Sequence, residues 1–187
     1  MEISGKVAVI TGGAGGIGMA LARRFLQGNA AAVVIADLDE ARVRQAAADI
    51  GATGIACDVT SESSINELID AAQSAHGPVD IFCSNAGICM LGGEDASDDE
   101  WQMCWDVHLM AHVYAARRLG PEMASRGDGY LVNTASAAGL LSHVDSATYS
   151  VTKHAAVAFA EWLTITYGDA GVKVSVLCPQ AVRTPMI

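Results

Sequence analysis

The chain has 187 residues, enough for one substantial hydrophobic core and too few for two ordinary domains. Its net charge of −10 argues against nucleic acid or an anionic membrane as a partner, and no apolar run approaches the ~20 residues that span a bilayer. The five cysteines lack metal-ligand spacing and the N-terminus lacks signal-peptide character, which together predict reduced, buried thiols in a cytoplasmic protein.

The chain begins with a predicted strand, a glycine-rich turn, a helix and a second strand. The apolar residues 6–10 precede the turn at 11–18, and a helical pattern at 19–27 leads to the apolar residues 31–36. Glycines in this context allow a tight turn and let backbone N–H groups approach a pyrophosphate at a helix N-terminus. The pattern therefore predicts a dinucleotide site at residues 12–18.

Asp37 follows the second predicted strand directly. A carboxylate at this place can accept hydrogen bonds from both ribose hydroxyls of an adenosine. The alternative is that Asp37 caps the helix predicted after it, and one carboxylate is able to serve both purposes.

The alternation of strands and helices continues along the chain. Further strands are predicted at 53–57, 79–84, 130–135 and 172–177, and further helices at 39–50, 61–76, 101–119 and 148–167, with a capping box formed by Ser97 and Glu100. Six strands alternating with five helices predict an α/β fold, a doubly wound parallel sheet with helices on both faces. Right-handed crossovers and a phosphate-binding first turn imply the strand order 3-2-1-4-5-6.

Tyr149 and Lys153 are four residues apart and would share one face of a helix. A free tyrosine has a pKa of about 10. A nearby ammonium stabilises the phenolate and lowers that pKa, which gives a group that exchanges protons near neutrality. Ser136, at the end of an apolar run, can share the reacting oxygen with the tyrosine. The alternative is an ordinary surface pair, which this spacing produces on many helices.

Taken together, these motifs resemble those of the short-chain dehydrogenase/reductase family over nearly the whole chain. The family's glycine motif matches Thr11, Gly12, Gly16, Ile17 and Gly18, its NAG matches Asn85, Ala86 and Gly87, its serine matches Ser136, and its YxxxK matches Tyr149 and Lys153. The resemblance implies one NAD-binding Rossmann-like catalytic domain over residues 1–187.

The resemblance also implies residue roles. Tyr149 is the proton acceptor or donor, Lys153 lowers the pKa of that tyrosine and binds the nicotinamide ribose, and Ser136 holds the substrate oxygen. The implied cofactor contacts are Thr11, Gly12, Gly16, Ile17, Gly18, Asp37, Leu38, Asp58, Val59, Asn85, Ala86, Gly87, Tyr149, Lys153, Pro179, Val182 and Thr184. The expected substrate contacts are Ser136, Leu141 and His143, in a wall that also contains Cys89, Met90, Leu91, Leu140 and Val144.

The implied reaction is hydride transfer between nicotinamide and a secondary alcohol or ketone, mostly apolar to suit that wall. NAD is expected rather than NADP, because Asp37 would repel a 2′-phosphate and neither residues 13–15 nor Leu38 offers a basic side chain. Helices 101–119 and 148–167 resemble the pair through which family members form homodimers or homotetramers. The alternative function is a non-catalytic dinucleotide-binding sensor or scaffold.

Three features depart from the family pattern: His108 replaces an asparagine, Gln180 replaces a glycine, and the chain stops at Ile187 before the expected seventh strand and substrate-covering lid. The domain is therefore expected to be incomplete at its C-terminus.

For His108 we expect a catalytic proton relay to Lys153 that works above about pH 7 and fades below it, as an unperturbed histidine would. The alternative is that His108 is turned away and packs with Trp105 and His112. No third ligand accompanies His108 and His112, so no metal site is predicted.

Overall fold

Six parallel strands form one sheet in the computed structural model, which describes residues 1–184. They are β1 (Val7–Thr11), β2 (Ala32–Asp37), β3 (Thr53–Ala56), β4 (Ile81–Ser84), β5 (Gly129–Thr134) and β6 (Val172–Leu177). Neighbouring strands pair in the order β3-β2-β1-β4-β5-β6. The predicted strand order and the doubly wound α/β fold are confirmed.

Six α-helices connect the strands. They are α1 (Gly16–Gln27), α2 (Glu40–Ile50), α3 (Glu62–His76), α4 (Asp98–Trp105), α5 (Ala111–Arg126) and α6 (Ala147–Tyr167). A π-helical turn, Asp106–Met110, joins α4 to α5 without a break, and the 3₁₀ turns Ala137–Gly139 and Gly168–Ala170 flank α6. Within the described residues, no helix combines the length and the apolar character that crossing a bilayer requires.

The two faces of the sheet carry separate hydrophobic clusters. Neighbouring residues of a strand point to opposite faces. Accordingly, Val9 of β1 packs in a cluster with Leu68 of α3 and Leu119 of α5. Ile10, the next residue, packs in another with Ala22 of α1 and Val43 of α2. Because helices cover both faces, polar loops are left to the ends of the strands, where the site lies.

The helix predicted at 101–119 is longer than the sequence indicated. It begins at Asp98 behind the predicted capping box, which is confirmed, and it continues past Pro121 to Arg126. A proline inside a helix removes one hydrogen bond and normally favours a break. Leu119 and Met123 on either side of it are fully buried, and this packing stabilises the continued helix.

Gly139 marks the closest approach between the loop after β5 and helix α6. A Cβ atom added there would lie 2.6 Å from the backbone oxygen of Lys153 and 3.0 Å from Cγ2 of Val157. Only a residue without a side chain lets this loop, which carries Ser136, lie directly on α6.

We expect Gly139→Ala to lower the free energy of unfolding by about 1–3 kcal/mol, because the new methyl group meets backbone that cannot move aside. The matched control is Gly168→Ala, at the end of the same helix. Gly168 has helical φ and ψ of −59° and −47°, and nothing lies within 4 Å of an added Cβ atom. This control should be neutral or slightly stabilising. Urea unfolding of both variants tests the prediction, and equal stabilities would contradict it.

Candidate active site

Thr11 ties the end of β1 to the turn that follows β4. Its hydroxyl oxygen accepts hydrogen bonds from the backbone N–H groups of Asn85, at 3.0 Å, and Ala86, at 3.1 Å. The side-chain amide of Asn85 donates back to the carbonyl oxygen of Thr11 at 3.1 Å. Since β1 and β4 are adjacent in the sheet, this network fixes the two loops that border the topological switch point.

The turn after β1 can be built only from glycine at several positions. Gly12 and Gly16 have φ values of +63° and +53°, in the left-handed region. A Cβ atom on Gly18 would lie 2.2 Å from the carbonyl oxygen of Gly12. Helix α1 begins at this turn, and no side chain caps its first N–H groups. A glycine cradle at an uncapped helix N-terminus fits the pyrophosphate of a dinucleotide.

Asp37 stands at the end of β2 beside this turn and does not cap α2. Its carboxylate accepts the N–H of Ala14 at 3.1 Å and the N–H of Leu38 at 3.0 Å. The residue that caps α2 is Asp39, whose side chain accepts from the N–H of Arg42. The interpretation of Asp37 as a helix cap is therefore wrong, and its carboxylate lines the cleft as the dinucleotide interpretation requires.

Arg42 was missed by the sequence argument and lines the same cleft. Its Nη2 atom lies 2.7 Å from the position that a Cβ atom on Gly15 would occupy. Residues 13–15 and Leu38, where a basic side chain was sought, are not basic, but Arg42 brings one into the cleft. The only sequence signal was an arginine in the first turn of the helix after Asp37, and the fold of that loop decides where such a side chain reaches.

Lys153 carries the buried charge of the site. Its side chain is 3% exposed, and its ammonium donates to the carbonyl oxygen of Thr134 at 3.0 Å. Burial lowers the pKa of Lys153 to about 8. Its Nζ atom lies 5.6 Å from the ring centroid of Tyr149, so the predicted pair is brought together on the inner face of α6.

Tyr149 and Ser136 face each other across the cleft. Burial raises the pKa of Tyr149 above its ordinary value, and a hydrogen bond with the Ser136 side chain opposes part of that rise. The expected net lowering of the Tyr149 pKa is not found, because burial of the phenol is the largest influence on it. The raised pKa favours the neutral phenol of Tyr149.

His108 is turned into the site rather than away from it. Its Nδ1 atom lies 2.8 Å from the hydroxyl oxygen of Thr152, and its Nε2 atom lies 3.1 Å from the nitrogen and 3.0 Å from the oxygen of Ile88. The Thr152 hydroxyl donates to the carbonyl oxygen of Thr148 at 2.7 Å, so it accepts from Nδ1–H. Nε2 then accepts the N–H of Ile88, and the histidine links this loop to α6.

The pH-dependent relay expected of His108 is wrong. Burial first, and the charge of Lys153 second, lower the pKa of His108 to about 2. The ring therefore stays neutral throughout the range in which an unperturbed histidine titrates. The same two causes lower the pKa of His112 to about 3. Neither nitrogen of His112 has a hydrogen-bond partner among the described residues.

The cleft between these elements has a volume of about 550 Å³. Predicted residues that line it are Gly12, Gly16, Ile17, Asp37, Asn85, Gly87, Cys89, Ser136, Tyr149, Lys153, Pro179, Val182 and Thr184. Gly15, within the turn predicted at 12–18, lines it as well. Residues that sequence reasoning missed are Arg42, Ile88, Thr134 and Ala135, and Gln180, which it had noted only as a departure, lines the cleft too.

Other predicted contacts lie outside the lining of this cleft. They are Thr11, Gly18, Leu38, Asp58, Val59, Ala86, His108, Leu141 and His143. Thr11 and Gly18 contact the turn through Asn85 and Gly12, while the ring of His143 lies 6.5 Å from that of Tyr149. Cys89 is exposed, so the expectation that the thiols are buried is wrong for this residue.

Ser146, which sequence reasoning also missed, sets the start of α6. Its hydroxyl oxygen accepts the N–H of Tyr149 at 3.3 Å as an N-cap, and it donates to the carbonyl oxygen of Met90. The side chain is fully buried. Its signal in the sequence was a serine three residues before Tyr149, the spacing of a helix cap.

Comparisons with known proteins agree with this arrangement. A family model described as short chain dehydrogenase matches residues 6–187. The 1-deoxy-11-beta-hydroxypentalenate dehydrogenase of Streptomyces exfoliatus is 35% identical over 196 residues, which cover 100% of this chain and 71% of that protein. The 2,5-dichloro-2,5-cyclohexadiene-1,4-diol dehydrogenase of Sphingobium indicum is 35% identical, covering 99% of this chain and 76% of that protein.

A solved structure shares the fold. The short chain dehydrogenase/reductase from Burkholderia phymatum, in complex with NAD, is 34% identical with a TM-score of 0.94. The match covers 100% of this chain and 69% of that chain.

We expect the buried histidines to make the protein acid-sensitive. The folded pKa values of His108 and His112 lie far below the unfolded value of about 6.5, so their contribution to stability is present above pH 6.5 and is lost as the pH falls toward 3. The two together should lower the free energy of unfolding by about 3 kcal/mol between pH 7.5 and pH 5.5.

Urea unfolding at the two pH values checks this. The double variant His108→Asn, His112→Leu should lose most of the pH dependence in this interval, while the exposed His154→Gln control keeps it. An unchanged pH dependence in the double variant would show that other groups are responsible.

Proposed function

This chain belongs to the short-chain dehydrogenase family and is a nicotinamide-dependent oxidoreductase of alcohols and ketones, and we propose that Tyr149 exchanges the proton of that reaction. The observation that supports this role is the meeting of Ser136, Tyr149 and Lys153 in the cleft that the glycine turn borders. A non-catalytic sensor would not need that trio. The relatives named above are dehydrogenases, which favours the enzyme.

The residues of the site fit a dinucleotide along the whole cleft. The glycine turn is proposed to hold the pyrophosphate, and Asp37 the adenosine ribose. Pro179, Val182 and Thr184 would border the nicotinamide, the group that supplies or accepts the hydride when bound.

Ser136 is proposed to orient the substrate oxygen next to the phenol of Tyr149. The Ser136 hydroxyl already accepts the N–H of Ala138 at 3.1 Å, which fixes its direction. In ketone reduction the neutral phenol donates its proton to the substrate oxygen, and in alcohol oxidation the phenolate takes it back. The raised pKa of Tyr149 favours the phenol, so oxidation should need a higher pH than reduction.

Lys153 and His108 have different proposed roles. Lys153 donates one N–H to Thr134, and an ammonium has three donors, so it can also bind a ribose hydroxyl and stabilise the phenolate. His108 is proposed as a positioning residue. It holds the loop at Ile88 against Thr152, the neighbour of Lys153, without changing its own protonation.

The substrate is proposed to be a mostly apolar secondary alcohol or ketone. Four large apolar side chains are exposed in the segments that follow the cleft residues Cys89 and Ser136: Leu91, Leu140, Leu141 and Val144. Burying them against a ligand would stabilise the complex by the hydrophobic effect. The two relatives are named for a hydroxypentalenate and a cyclohexadiene-diol, which supports an apolar ring substrate.

Exposed apolar side chains on two helices bear on the assembly of the protein. We propose a homodimer or homotetramer through residues 101–119 and 148–167, because Met103, Trp162 and Ile165 of these helices are exposed.

A cytoplasmic location is supported by the five cysteines, which are all free thiols.

Replacing Tyr149 by phenylalanine should abolish turnover and leave dinucleotide binding nearly unchanged, because only the oxygen that exchanges the proton is lost. Lys153→Ala should weaken both, since it removes the cation beside Tyr149 and a donor for the ribose. Turnover of a panel of apolar secondary alcohols and fluorescence titration with NADH measure the two effects. A substantial residual rate in Tyr149→Phe would mean that another group exchanges the proton.

The preferred cofactor is proposed to be NAD, because the carboxylate of Asp37 favours ribose hydroxyls and repels a 2′-phosphate. Asp37→Ser should lower the preference for NADH over NADPH by about 10-fold or more, the usual effect of a charge-assisted hydrogen bond. Asp39→Ser is the control, because serine also caps a helix and Asp39 does not line the cleft. Tighter binding of NADPH than of NADH by the unmodified protein would contradict the proposal that NAD is the preferred cofactor.

A further inference from the structure

The hydroxyl group of Ser146 joins the first turn of α6 to the loop that follows β4. It accepts the N–H of Tyr149 at 3.3 Å and donates to the carbonyl oxygen of Met90, and the side chain is fully buried. We infer that Ser146 is a positioning residue for the substrate, because it holds the cleft residue Cys89 in place relative to Tyr149. This inference rests on the proposed function and adds a residue that sets how tightly the same site binds its alcohol.

Backbone hydrogen bonds extend this connection on both sides of the serine. The N–H of Gly92 donates to the carbonyl oxygen of Asp145 at 3.0 Å, and the N–H of Ala147 donates to the carbonyl oxygen of Gly92 at 2.9 Å. Ser146 is the residue at the centre of this pairing. Its hydroxyl crosses from the start of α6 to the loop at Met90.

The loop has a second attachment to α6, on the other side of Cys89. The ring of His108 accepts the N–H of Ile88 at 3.1 Å, and its other nitrogen lies 2.8 Å from the hydroxyl oxygen of Thr152. Cys89 therefore lies between two neighbours that are both held, Ile88 through His108 and Met90 through the serine hydroxyl.

The two attachments flank Tyr149 on α6. Ser146 comes three residues before the tyrosine and Thr152 three residues after it, and residues three apart are neighbours on a helix surface. Cys89 and Tyr149 line the same cleft. Burial is the first cause of the raised pKa of Tyr149, and Cys89 adds to the rise, so the thiol lies near the phenol.

Loss of the Ser146 hydroxyl would remove one of these two attachments and a donor to the carbonyl oxygen of Met90. The loop at Cys89 would then be held less firmly, and a substrate bound against it would be held less tightly. Within residues 1–184, no hydrogen bond joins Ser146 to the glycine turn or to Asp37, the groups proposed to hold the dinucleotide. Binding of the cofactor should therefore stay unchanged.

The experiment compares wild type with Ser146→Ala, Ser146→Gly and Ser61→Ala. Glycine costs little at a helix N-cap, so Ser146→Gly removes the bond to Met90 with only a small loss of capping. Ser61 caps α3 through a bond of the same length, 3.3 Å from the N–H of Ser64, and it does not line the cleft. Ser61→Ala is therefore the matched control for the loss of a serine cap.

Steady-state kinetics at saturating NAD, with a panel of cyclic secondary alcohols, give the first readout. Both Ser146 variants should show a KM about 10-fold higher than wild type, the effect of one buried hydrogen bond. The kcat and the dissociation constant of NADH should change by less than about 2-fold. A merely structural role would lower the folded fraction, and with it kcat, while KM stayed the same.

Hydrogen exchange gives a second readout that needs no substrate. The peptide that contains Gly92 should exchange about 10-fold faster in both Ser146 variants than in wild type. The Ser61→Ala control should keep the exchange rate of wild type at Gly92. Thermal unfolding shows that each variant is folded at the temperature of the measurements.

An unchanged KM in folded Ser146 variants, or unchanged exchange at Gly92, would overturn the inference. An equal rise of KM in Ser61→Ala would also overturn it, because any lost cap would then have the same effect. Absence of turnover in wild type would instead refute the proposed function, and the exchange measurement would still decide whether Ser146 holds the loop.

Discussion

The buried ammonium group of Lys153 is the constraint to which the rest of the site conforms. A charge taken out of water is unfavourable unless polar groups replace the lost solvent, and here the carbonyl oxygen of Thr134 at the end of β5 does so at 3.0 Å. This unfavourable burial lowers the pKa of Lys153 to about 8. No carboxylate within residues 1–184 forms an ion pair with this ammonium. Burial first, and the charge of Lys153 second, hold the two buried histidines nearby neutral.

The π-helical turn Asp106–Met110 carries the neutral ring of His108. This wide turn lies in the middle of the long helix formed by α4 and α5, and His108 within it is fully buried. Wide helical turns of this kind occur frequently at functional sites. The ring joins the loop at Ile88 to Thr152 on α6, and Gly87 lies between this histidine and Lys153. A Cβ atom on Gly87 would be 3.6 Å from Nζ and 3.7 Å from Nε2. The neutral ring of His108 thus connects Ile88 and Thr152. A group that became protonated at this place would add a second positive charge beside Lys153.

Asp37 and Arg42 bring opposite charges to the lining of the cleft. Asp37 is fixed by two backbone N–H groups, whereas no hydrogen bond or ion pair within residues 1–184 holds the guanidinium of Arg42. A fixed carboxylate gives a defined hydrogen-bond acceptor.

From the amino-acid sequence we could predict the order of strands and helices, the glycine turn and the spacing of Tyr149 and Lys153, because these depend on local periodicity and on backbone conformations that only glycine adopts. The capping box at Ser97 was predictable for the same reason. Only the tertiary structure decided the protonation of His108, the raised pKa of Tyr149, the continuation of a helix past Pro121 and the reach of Arg42. Each of these depends on burial or on contacts between residues distant in sequence, and desolvation and side-chain direction are properties of the packed molecule rather than of any segment.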